Sequence, residues 1–86
     1  MKTYYCTVTP RDPNKVNPVH EYVNKTNVYL LEPPVVGRRC HIYAVAGGGV
    51  HTSLVVSVDY MCDGDIRIVT LNTVYNLVYR GGSDDA

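Results

Sequence analysis

The chain has no tryptophan and no phenylalanine, so the large rings that most often fill a deep core without a polar atom are missing. Its aromatic complement is eight tyrosines, and a phenolic hydroxyl needs water or a partner, which steers these rings to core rims and contact surfaces. Long apolar runs are lacking too. No window approaches the length of a membrane span, and Met1-Lys2-Thr3-Tyr4-Tyr5-Cys6 has no uninterrupted apolar core of the signal-peptide kind, which points to a cytoplasmic protein without membrane contact. Charge of one sign is absent as well: eight cationic side chains balance eight anionic ones, so no global field draws the chain onto nucleic acid or an anionic bilayer. Cysteine is sparse. The three residues Cys6, Cys40 and Cys62 are odd in number and show no C-x-x-C spacing, the pattern of free thiols in a reducing compartment, with one disulfide plus one free thiol as the alternative.

What is present suits a folded globule, since apolar residues make up 45% and charged residues only 19%. Eighty-six residues can enclose a single core. Residues 1–80 are therefore read as one β-rich domain and residues 81–86 (GGSDDA) as a flexible tail.

Lys2 to Thr9 alternates with a period of two, placing Tyr4, Cys6 and Val8 on one side, and Pro10 with Pro13 ends that strand. Asn17-Pro18 carries a helix-start signature, so a short helix is expected over 18–24. Val28 to Glu32 reads as a second strand closed by Pro33-Pro34. Asn72 to Tyr79 fits helix and strand periodicity alike, and its β-branched and aromatic content favours strand.

Arg38 to Leu71 is the densest apolar stretch and reads as three strands. Asp63-Gly64 predicts a two-residue type I′ hairpin, with Tyr60 opposite Arg67 and Val58 opposite Val69. Gly47-Gly48-Gly49 taken as a three-residue loop sets Ala46 against Val50 and Ile42 against Leu54. Together these registers place Cys40, Ile42, Ala44, Leu54, Val56, Val58, Val69 and Leu71 on a buried face. The opposite face holds His41, Tyr43, Val45, His51, Ser53, Val55, Ser57, Asp59, Ile68 and Thr70. It is too greasy for water and too polar for a core.

The expected fold is therefore all-β, or a β-rich α+β variant: a small antiparallel meander or barrel of about five to six strands with one short helix. No nucleophile, base and orienting acid fall together, so a non-catalytic protein-binding module is expected, self-associating and without cofactor or metal. Its partner-binding residues would be His41, Tyr43, Val45, His51, Ser53, Val55 and Ile68. A compact domain of this kind suits an inhibitor of a host protein encoded by a phage or virus. Under the registers above, His41 and His51 lie several residues apart, too far to share a metal ion.

Two further classes compete. Arg38, Arg39, Arg67 and Arg80 with Tyr75 and Tyr79 could form the cationic, stacking surface that small barrels use on single-stranded nucleic acid, or Arg67 could simply lie over Tyr60. His51-Thr52-Ser53-Leu54 resembles half of the paired H-x-[ST] signature of the two-histidine phosphoesterases. That resemblance implies a phosphoesterase in which a homodimer supplies the second histidine. Tyr79-Arg80-Gly81-Gly82 followed by a short extension also resembles the di-glycine end of a ubiquitin-like precursor.

Overall fold

A computed structural model describes residues 1–14 and 21–82 of the chain. Six strands follow one another in order: β1 (Thr3–Pro10), β2 (Thr26–Tyr29), β3 (Arg39–Ala44), β4 (Gly49–Tyr60), β5 (Ile66–Thr70) and β6 (Thr73–Gly81). Every neighbouring pair is antiparallel. β6 returns to β1 in a register running from Thr3 opposite Gly81 to Pro10 opposite Thr73, which closes the sheet into a barrel. Closure removes the open edges that a meander of this length would otherwise expose to other chains.

The all-β expectation therefore holds, and of residues 72–79 all but Asn72, which lies in the preceding turn, fall in β6. The helix expected over 18–24 lies partly outside the described residues. Of its described part, Glu21 is helical and Tyr22 to Lys25 form a turn, in which the Asn24 amide bonds the Glu21 carbonyl at 3.0 Å. Lys25 adopts a positive φ of 55°. Its amide reaches the Cys6 carbonyl at 2.7 Å, and the Asn24 side-chain oxygen accepts from the Val8 amide at 2.9 Å, so the turn supplies hydrogen-bond partners along β1. The second strand is also corrected. It runs over Thr26–Tyr29 and stops before Leu30, because Pro33-Pro34 carries the chain off the sheet.

The larger corrections concern register. The hairpin after β4 has a three-residue loop, Cys62-Asp63-Gly64: the Met61 amide bonds the Asp65 carbonyl at 2.9 Å and the Gly64 amide bonds the Met61 carbonyl at 3.1 Å. Only Gly64 has positive φ, at 95°, the left-handed residue that completes such a loop where a two-residue type I′ turn would need two of them. Tyr60 consequently faces Ile66, and Asp59 faces Arg67. That one-residue slip turns Ile68 and Thr70 inward and Val69 and Leu71 outward.

The glycine loop also sits earlier than expected. Gly49 belongs to β4 opposite Tyr43, Ile42 faces Val50, and the Ala44 amide bonds the Gly48 carbonyl at 2.9 Å. Further along, a bulge between β3 and β4 changes the parity of β4. Val50 and Thr52 point inward before it and Val55 after it, leaving Leu54 and Val56 on the outside. Of the eight residues expected on the buried face, only Cys40, Ile42 and Ala44 are buried, with Val58 packed at the core margin.

The core is a cylinder of side chains rather than a layer between two sheets. Tyr4, Cys6, Val28, Ile42, Ile68, Tyr75 and Leu77 fill it, and Val23 is buried with them. The buried hydroxyls are all committed. Thr70 Oγ1 accepts from the Thr73 amide at 3.1 Å and donates to the Thr73 carbonyl at 2.9 Å, pinning the two-residue turn between β5 and β6. No side-chain nitrogen or oxygen buried among the described residues lacks a partner, as a small barrel with little apolar area in reserve requires.

Candidate functional site

Two surfaces of the barrel stand out, and the first is a column of rings on the outer wall of β2, β3 and β4. Odd-numbered residues of β3 face outward, so His41 and Tyr43 lie two positions apart on one side of the strand. Tyr29 is the direct partner of Tyr43 on β2, and His51 is the direct partner of His41 on β4. The rings meet accordingly. Tyr29 stacks on Tyr43 with centroids 5.2 Å apart, Tyr43 on His41 at 3.9 Å, and His41 lies tilted against His51 at 4.1 Å.

This corrects the expectation that the two histidines lie far apart. The earlier turn brings residue 51 back beside residue 41, four residues short of the register read from the glycines. Loss of hydration and the neighbouring His51 both hold the His41 imidazole below its usual pKa, desolvation being the larger cause. A groove of about 300 Å³ runs alongside the column beneath the Leu31–Val35 loop, lined by Glu32, Pro34, Arg39, His41, Tyr43 and His51.

The second surface is the outer wall of β4 to β6. Leu54 and Val56, the two neighbours of buried Val55, are 44% and 45% exposed, and Leu71 is 56% exposed. The Leu71 amide bonds the Leu54 carbonyl at 3.1 Å, and Val69 pairs with Val74, so these side chains form one apolar band across three strands. Val36 continues it, since the adjoining Gly37 amide bonds the Val55 carbonyl at 2.9 Å. The sequence pattern places Leu54, Val56 and Leu71 on the buried face, and the structure puts them on the outer one.

The residues expected to bind a partner are thus divided. His41, Tyr43, Val45, His51 and Ser53 are at least partly exposed, with Ser53 accepting a hydrogen bond from the Asn72 side chain at 2.7 Å. Val55 and Ile68 are 2% and 0% exposed and belong to the core. The stacking and phosphate-binding set is dispersed. Arg38 and Arg39 adjoin the ring column, Arg67 is on β5, and Arg80 on β6 lies 5.2 Å over the Tyr5 ring. Arg67 faces Asp59, not Tyr60. Tyr75 is fully buried, and Tyr79 packs against Tyr4 with centroids 5.9 Å apart, so neither offers a free ring face to a base.

Cys6 and Cys40 are buried thiols and Cys62 is an exposed one, and none is in a disulfide. No helix among the described residues is long and apolar enough to cross a membrane. The chain matches no family model, and no curated protein or solved structure is detectably similar to it.

Proposed function

We propose that this barrel is a non-catalytic protein-binding module that self-associates through the apolar band of β4 to β6. The observation that carries the reading is the outward placement of Leu54, Val56 and Leu71 as neighbours on a wall that ordinary barrel patterning would fill with polar residues. An isologous contact suits this band, because apolar strand faces pack on copies of themselves without any need for charge complementarity. A chain of 86 residues also gains burial from association that its own small core cannot supply.

The test is sedimentation across a wide concentration range, with Val56→Asp and Leu71→Glu as interface variants. A concentration-dependent dimer that becomes a folded monomer in both variants supports the reading. A wild-type chain that stays monomeric at high concentration overturns it.

A second reading, single-stranded nucleic-acid binding, is favoured by the adjacency of Arg38 and Arg39 to the ring column. Against it, the rings of the column cover one another's faces, and the remaining arginines stand on other strands. Oligonucleotide affinity that falls steeply with salt would favour this reading over protein binding.

A further inference from the structure

We propose that His41 and His51 form a two-imidazole chelate for a divalent transition-metal ion, Zn2+ or Cu2+, at the open end of the ring column. The two residues are direct partners across antiparallel strands, so the backbone fixes both side chains on one face and beside one another. Their ring centroids are 4.1 Å apart. Two nitrogens bound to one ion at about 2.0–2.1 Å each stand roughly 3.3 Å apart in tetrahedral geometry, a separation of the same order as that between these two rings. Metal coordination uses the lone pair in the plane of the imidazole. Stacking of His41 on Tyr43 occupies a ring face and leaves that lone pair available.

The surroundings define the type of site. No group of three or more histidine, cysteine, aspartate or glutamate side chains among the described residues could enclose an ion, so the remaining coordination positions fall to water or an exogenous ligand entering from the groove. Imidazole donors with open positions suit zinc and copper, and the order of divalent affinities makes Cu2+ the tightest probe. Glu32 in the same groove counters part of the repulsion that Arg38 and Arg39 exert on a cation. The ring stack holds His41 in place before the ion arrives, which lowers the ordering cost of binding.

The experiment is titration of the purified protein with Cu2+ and, separately, Zn2+, followed by calorimetry and by the quenching of tyrosine fluorescence by Cu2+ beside Tyr43. The expected result is one ion per chain. His41→Ala and His51→Ala should each weaken binding by roughly tenfold or more, since removing even a supporting outer group costs a metal site about 10- to 100-fold. An independent readout needs no variant: on adding Zn2+, the imidazole proton resonances of His41 and His51 should move together. Equal affinity in His41→Ala and wild type, or perturbation of only one of the pair, overturns the chelate. Because the readouts are ion binding and histidine resonances, they stand or fall independently of self-association.

Discussion

Thr52 Oγ1 accepts a hydrogen bond from the Cys40 amide at 3.0 Å and donates one to the Ser53 carbonyl at 2.6 Å. At the bulge between β3 and β4 the hydroxyl thus takes the place of a ladder carbonyl, and it does so with no exposure to solvent. Replacing Thr52 by Val keeps the shape and strands the Cys40 amide, an unsatisfied buried donor that costs about 1–3 kcal/mol. Thr52→Ser keeps the hydroxyl and should recover most of that loss. Urea denaturation of the two variants checks this, and equal stability of Val and Ser variants would remove the hydroxyl from the account of the bulge.

The inside and outside of β4 and β5 can be told apart by truncation. Ile68 is fully buried, so Ile68→Ala should cost about 2–5 kcal/mol through lost transfer energy and the cavity left behind. Val56 is 45% exposed, and Val56→Ala should change the stability of the monomer by no more than about 0.5 kcal/mol. In the register expected from an Asp63-Gly64 turn, Val56 would have been the costly site and Ile68 the mild one. Chemical denaturation at low protein concentration, where association does not contribute, ranks the two directly.

Gly64 carries the turn that sets this register. Its φ is 95°, and a Cβ there would lie 3.2 Å from ring atoms of Tyr79. Gly64→Ala therefore meets both a backbone penalty of about 1–2 kcal/mol and a ring that must move. Gly37, whose φ is 87° and whose Cβ direction is open, meets only the first. The expected order in thermal denaturation is wild type above Gly37→Ala above Gly64→Ala, and a Gly64→Ala variant as stable as Gly37→Ala would mean that Tyr79 does not close over the loop.

The strands were legible in the sequence because period-two patterning survives closure into a barrel: Tyr4, Cys6 and Val8 mark the interior side of β1 as plainly as any rule allows. Register was not. Asp-Gly is the strongest two-residue turn signal, yet Gly64 here supplies the single left-handed position of a three-residue loop, and composition does not separate the two. The bulge is harder still. In Ser53-Leu54-Val55-Val56 every residue can face either way, and only the Thr52 bond to Cys40 reveals which side is inside. Each shift inverts faces, so the sequence pattern puts the apolar band in the core and Val55 and Ile68 on the surface, opposite to where they lie. The histidine pair is hidden in the sequence for the same reason, since its members meet only with the glycine loop at Val45 to Gly48.

The two buried thiols give the fold an alkaline limit. Burial pushes Cys6 up to about 12 and Cys40 up to about 11, whereas an unfolded cysteine titrates near 8.5, to order of magnitude. From about pH 8.5 upward the unfolded chain releases protons that the native barrel retains, so the native state binds more of them and stability falls as pH rises. Below that pH the contribution is fully present. It is lost progressively until the native thiols themselves ionise, and the buried Tyr75 phenol, raised by the same desolvation, extends the decline above about pH 10. The urea midpoint should therefore be flat near neutrality and drop through the alkaline range, with a shallower drop in a Cys6→Ala, Cys40→Ala variant. Under native conditions iodoacetamide should label Cys62 first and reach Cys6 and Cys40 only after unfolding. Labelling of Cys6 at the rate of Cys62 in neutral buffer would place β1 the other way out.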